Sequence, residues 1–223
     1  MDNLQLLTTA QDATALRLAQ PGDWLTGAQR VAVWGEVRDA IANPLDQARR
    51  QALSPAAVHG THSATDNGQL SATAVEVVHR VASDPGRLTR QWANDAMAEL
   101  GEEAYSELVG VTAMCTVLDQ FRRAMGQPLR DLPAPQAGQP ACVRPDDVGD
   151  VGAWVAQSAV KTRANVSRSL SLVPVTNGAW RTLVDSHYSR GHEFYQLRWN
   201  RPLIRPQVEL LAARTTALHE CFY

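Results

Sequence analysis

The stretch Glu102-Glu-Ala-Tyr-Ser-Glu-Leu-Val-Gly-Val-Thr-Ala-Met-Cys-Thr-Val-Leu-Asp-Gln-Phe-Arg-Arg-Ala-Met125 decides the fold class. Leu108, Val111, Cys115, Leu118 and Phe121 recur at three- or four-residue intervals, the spacing of one helix face. Gly126 and Pro128 then supply the usual C-terminal punctuation. The same period runs through Trp24–Ala42, where Leu25, Ala28, Val31, Trp34, Val37 and Ile41 share a face. It returns in Ser71–Ala82 with Val75, Val78 and Ala82, before Asp84-Pro-Gly stops that helix and Leu88–Leu100 begins another. Further on, helices are expected at Val151–Ala159, Ala179–Arg190 and Arg205–Tyr223. Val166–Val173 alternates weakly and reads as a short strand before Pro174. With no Asn-Gly or Asp-Gly turn between two β-branched runs, the expected fold is all-α.

Ala134–Gly149 is rich in Pro, Gly, Gln and Asp and reads as a linker or long surface loop. It divides the chain into an expected helical half at 1–133, a linker at 134–149 and a second helical half at 150–223. The second half stops at Leu-His-Glu-Cys-Phe-Tyr223 without a C-cap glycine, so the natural product is expected to run further.

Composition narrows the partners. Of 223 residues, 21 are basic and 23 acidic, a formal charge of -2 that suggests neither nucleic acid nor an anionic membrane. Neither a signal peptide nor an apolar span of membrane length is visible. Three cysteines, at 115, 142 and 221, are too few and too scattered for a disulfide framework, and a reducing cytoplasm is the expected location. Nucleotide-loop, zincin and serine-hydrolase motifs are all missing.

Two blocks carry a resemblance. The first is Val78-His-Arg-Val-Ala-Ser-Asp-Pro-Gly-Arg-Leu-Thr-Arg90, with Ala104-Tyr-Ser-Glu-Leu-Val-Gly-Val111 and the run from Phe121 to Pro133. The second is Arg205-Pro-Gln-Val-Glu-Leu-Leu-Ala-Ala-Arg214, continuing to Cys221. Together they resemble the alkylhydroperoxidase D-like (AhpD-like) and carboxymuconolactone decarboxylase superfamily, in a long, internally duplicated subgroup. The resemblance implies an AhpD-like helical bundle of two related halves, the C-terminal one truncated. In that family a glutamate precedes a C-x-x-C pair, and a histidine follows it. Glu209 matches the glutamate and Cys221 the first cysteine, twelve positions later. Tyr223 falls where some members place a histidine. The second cysteine and the distal histidine have no counterpart here. Val37-Arg-Asp-Ala-Ile-Ala-Asn-Pro-Leu-Asp46 has the outline of a decayed copy, with Asn43 and Asp46 at the cysteine positions and Val31 at the glutamate position.

The implied activity is thiol-dependent reduction of alkyl hydroperoxides. Cys221 would be oxidised to a sulfenic acid and resolved by a partner thiol. Glu209 would take the thiol proton through a relay, and Tyr223 would donate a hydrogen bond. A dithiol carrier protein is the expected reductant, a metal or flavin cofactor is not needed, and a homo-oligomer would cover the last helix. Two other classes compete: an inactive small-molecule-binding or oligomerisation module, and a decarboxylase-like enzyme with His79 as general base in an arginine-lined pocket.

Other residues invite plainer readings. Cys115 should pack as core and Cys142 should lie exposed in its loop. His79 can line a pocket and shuttle protons, although a boundary histidine bonded to a backbone carbonyl is the more frequent outcome. His59 and His62 have spacing that suits a metal, but with only Asp66 nearby they read as a solvated loop pair. His187, His192 and the arginines at 181, 190, 198, 201 and 205 form a basic stretch that suits a small anion or an interface. Trp180, Tyr188, Phe194, Tyr195 and Trp199 should build a core or interface layer around the final helix.

Overall fold

Capping chemistry sets the helix starts. Thr26 accepts the Gln29 N–H while the Gln29 side chain accepts the Thr26 N–H, a reciprocal box that opens α2 (Gly27–Ala42). Asn43 closes α2 and caps α3 (Pro44–Gln51), whose first residue is proline. Ser71 and Thr89 cap α4 (Ala72–Ser83) and α5 (Arg90–Leu100) through their hydroxyls. Gly101, at φ 84°, joins α5 to α6 (Glu102–Ala124). A computed structural model of the chain describes residues 3–63, 68–160, 165–187 and 202–218. Among these, α1 (Asn3–Leu18) precedes the helices above, and α7 (Asn165–Arg168), α8 (Pro174–His187) and α9 (Arg205–Leu218) follow. The fold is all-α, with one small antiparallel ladder pairing β1 (Val148–Gly149) and β2 (Gln157–Ser158).

The core lies between α2, α4 and α6. Val33, Trp34 and Val37 meet Val75, Val77 and Val78, with Leu108, Val111, Met114, Cys115 and Leu118 behind them. Leu18 of α1 and Ala179 and Leu183 of α8 belong to the same apolar cluster, so burial crosses the 134–149 segment. That segment is strapped down. Gln136 N–H donates to the Ala19 carbonyl at 2.8 Å and Cys142 N–H to that of Asp23 at 2.8 Å.

Two expected elements change character. Val151–Ala159 is not a helix: Gln157 and Ser158 pair as strand, while Trp154 and Val155 turn toward an apolar cavity. Val166–Val173 is not a strand. Its serines close turns instead, Ser169 Oγ donating to the Val166 carbonyl and Ser171 Oγ to that of Arg168. The helix expected at Ala179–Arg190 begins earlier, at Pro174, and Arg190 lies outside the described residues. α1 has no expected counterpart, because threonines and glutamines blur its apolar stripe. α9 fits the expected start at Arg205; its Leu210, Leu211 and Leu218 are exposed.

Candidate functional site

Helical spacing assembles the most unusual feature of the molecule. Glu36 and Asp39 of α2, Asp46 and Arg49 of α3, and Glu76 and His79 of α4 are each pairs at i and i+3, which share a face. The three faces converge, and the segment after the 3-10 turn Pro55–Ala57 adds His62. The side chains of Asp46, Glu36 and His79 are fully buried, and that of His62 is 1% exposed.

His79 is held from both sides. Its Nδ1 lies 2.6 Å from Asp46 Oδ2 and its Nε2 3.0 Å from Glu36 Oε2. His62 repeats the arrangement, with Nδ1 2.8 Å from Glu76 Oε2 and Nε2 3.3 Å from Asp46 Oδ2. Ser83 Oγ donates to the other Asp46 oxygen at 3.2 Å. Arg49 pairs with Glu76 at 2.8 Å and also donates to the Val58 and Gly60 carbonyls, which pins the segment that delivers His62.

Electrostatics follow the geometry. Burial alone would push the His62 imidazole down, but its contacts with the Asp46 and Glu76 carboxylates hold it up at about 9. Burial would raise the Asp46 and Glu76 carboxyls, yet their histidine and arginine partners bring both below the ordinary range. Burial pushes the Arg80 guanidinium down, with the neighbouring charge of Arg49 acting in the same direction. Such a density of buried, oppositely charged groups is costly to desolvate and marks a candidate site.

A second buried network serves packing. Glu107 on α6 accepts the Trp24 and Leu25 N–H groups and faces Arg30 at 3.5 Å. Asp23 reaches across the chain to accept the Val175 and Thr176 N–H groups, both at 2.9 Å, at the start of α8. This seam ties α8 to the front helices.

Two cavities open among the described residues. One, of about 290 Å³, is apolar and lies between Tyr105, Gly110, Trp154, Leu170 and Trp180. The other, of about 260 Å³, is polar and is bordered by Arg50, Ser83, Asp84, Arg87 and Leu218.

The residues singled out from the sequence are dispersed. Cys221 and Tyr223 lie outside the described residues. Glu209 is solvent-exposed on α9 beside Arg205, at 3.5 Å. His79 is bonded to two carboxylates, not to a backbone carbonyl as a boundary histidine would be. His62 is buried rather than solvated, whereas His59 is exposed and Asp66 lies outside the described residues. Asn43 and Asp46 have roles other than a decayed redox pair: one caps α3, the other anchors the histidines. Cys115 is core, its thiol raised by burial, and Cys142 is exposed. His187 faces Gln11 at 3.1 Å, and Arg190, Arg198, Arg201 and His192 lie outside the described residues, as do Tyr188, Phe194, Tyr195 and Trp199. No helix among the described residues is long and apolar enough to cross a membrane.

Sequence reading missed Glu36 and Glu76 and gave Asp46 a different role. The available signal was their shared i, i+3 spacing to Asp39, Arg49 and His79, which puts two charged or titratable groups on one face of each helix. No known protein family, curated protein or solved structure matches this chain.

Proposed function

We propose that the chain acts in thiol-dependent reduction of hydroperoxides, with Cys221 as its redox thiol. The observation supporting this reading is the course of α9. The helix carries Glu209 exposed, and Leu218, three residues before Cys221, borders the polar cavity beside Arg50, Ser83 and Arg87. Guanidinium and hydroxyl donors in that wall suit the two oxygens of a hydroperoxide. Ser83 bonds Asp46, so His79 lies at the inner end of a polar chain that starts in the cavity and sets its field.

The chemistry balances with a dithiol reductant. Glu209 takes the Cys221 proton through a relay, and the thiolate attacks the terminal peroxide oxygen. The O–O bond breaks, an alcohol leaves, and the sulfur becomes a sulfenic acid. One thiol of a dithiol carrier condenses with it and releases water. The carrier's second thiol then displaces Cys221, leaving the disulfide on the carrier. Tyr223 donates a hydrogen bond to the departing oxygen.

The test is consumption of an alkyl hydroperoxide in the presence of a small dithiol. Cys221→Ser should abolish turnover and Glu209→Gln should slow it by about 10-fold or more. An unchanged rate in Cys221→Ser overturns the proposal.

The apolar cavity favours a second reading, a small-molecule-binding module. Trp154 and Trp180 line it, so quenching of tryptophan fluorescence by an apolar ligand in the Cys221→Ser protein would favour binding over catalysis.

A further inference from the structure

A metal takes imidazole in its neutral form and displaces any proton the ring carries without it, and in that form tautomer logic makes the Asp46 corner electron-rich. A neutral imidazole carries one N–H and one lone pair. The His79 Nε2 hydrogen is directed to Glu36 and the His62 Nδ1 hydrogen to Glu76, so the lone pairs of His79 Nδ1 and His62 Nε2 both face Asp46 Oδ2. Three electron-rich atoms that converge in a buried place need a cation between them. A proton satisfies the short His79–Asp46 contact, but His62 Nε2 is buried without a hydrogen bond of acceptable geometry.

We propose that Asp46, His62 and His79 bind a divalent first-row transition cation of the zinc class. The ligand atoms lie within 4.8 Å of one another. Tetrahedral zinc, with bonds of about 2.0–2.1 Å, separates its donors by about 3.3 Å. The His62–Asp46 separation of 3.3 Å already meets this. The His79–Asp46 contact of 2.6 Å has to open by about 0.7 Å, which a small carboxylate rotation supplies.

Three further features suit a metal. Each histidine gives its other ring N–H to a carboxylate, the outer arrangement that fixes orientation and raises ligand basicity. Ser83 holds the Asp46 oxygen that faces away from the histidines. The carboxylates of Glu36, Asp39, Asp46 and Glu76 also stand around the two imidazoles, a negative field that favours a divalent cation. Two imidazoles and a carboxylate without a thiolate suit zinc, iron(II) or cobalt(II) rather than copper(I).

The inference stands apart from the thiol reading, because none of the three ligands comes from α9. The test titrates cobalt(II) into the full chain after chelator treatment and follows the visible ligand-field absorbance, with zinc(II) added as competitor. One equivalent should bind per chain, and zinc should displace it. His62→Ala should weaken cobalt binding at least 10-fold, while His59→Ala and Cys221→Ser should titrate as the parent does. His62 lies in an irregular segment, so this variant tests binding without interrupting a helix, and its far-ultraviolet dichroism should match the parent. Failure of the parent chain to bind cobalt, or undiminished binding in His62→Ala, overturns the proposal. Failure of peroxide turnover with cobalt binding intact overturns only the thiol reading.

Discussion

The imidazoles of His62 and His79 lie 3.9 Å apart between ring centroids, and both rings turn a nitrogen toward the same Asp46 oxygen. Neither ring is free to rotate, because Glu36 and Glu76 hold the opposite nitrogens. The pair is therefore a preorganised element rather than two incidental side chains.

Asp46 is the residue both rings share, so its removal should be the most damaging change in this cluster. In chelator-treated protein, Asp46→Ala should lower unfolding stability by about 3 kcal/mol, since it leaves buried charge uncompensated. Urea titration against the parent checks this. A loss under about 0.5 kcal/mol would mean the histidines find other partners.

Cys115 supplies a pH signature. Burial raises its thiol well above the ordinary cysteine range, with the Asp119 charge acting in the same direction. The stabilisation is fully present below the unfolded thiol's value and is lost as pH rises beyond it, because only the unfolded chain then releases that proton. Stability should thus fall with pH above about 9, and Cys115→Ala should remove that part of the slope. Iodoacetamide under native conditions should modify the exposed Cys142 and spare Cys115, as peptide mass mapping would show.

Gly110 lets α6 meet α8 and the segment before it. A Cβ there would stand 2.8 Å from Thr176 Cγ2 and 3.1 Å from Leu170 Cδ1, closer than packed carbons tolerate. Gly110→Ala should cost about 1–3 kcal/mol and narrow the apolar cavity that Gly110 lines. Thermal unfolding and tryptophan emission would report both effects. A variant as stable as the parent would show that Leu170 yields freely.

The helices with a clean apolar stripe were legible because burial on one face imposes a helical period. α4 and α6 follow it, whereas α2 buries Val33, Trp34, Val37 and Ala40 with Arg30 and Glu36 and leaves Ala28, Val31 and Ile41 of its expected stripe only partly buried. α1 was not legible, since Thr8, Thr9 and Thr14 bond their own helix carbonyls and leave little periodic contrast. The histidine cluster was half legible. His59 and His62 advertised metal spacing, but the completing ligands sit 16 positions upstream and 17 downstream of His62, at Asp46 and His79. Only tertiary packing of α3 against α4 brings them together. Likewise Asp23 caps α8 from about 150 positions away, a contact that no local pattern encodes.

The Arg30–Glu107 pair offers the sharpest test of how the front helices hold α8. Glu107 accepts two backbone N–H groups and the Thr176 hydroxyl, and Arg30 supplies its counter-charge in a fully buried position. Gly22 packs so tightly against both side chains that a Cβ there would overlap Glu107 Oε1 and the Arg30 guanidinium. Arg30→Leu should therefore cost about 3–5 kcal/mol, the range for orphaning a buried charge. Adding Glu107→Leu should recover part of that loss, because the stranded carboxylate goes with it, although the Trp24 and Leu25 N–H groups lose their acceptor. A double-mutant cycle by urea unfolding resolves the coupling. Strict additivity would mean that the backbone donors alone hold Glu107 and that Arg30 is present for its volume.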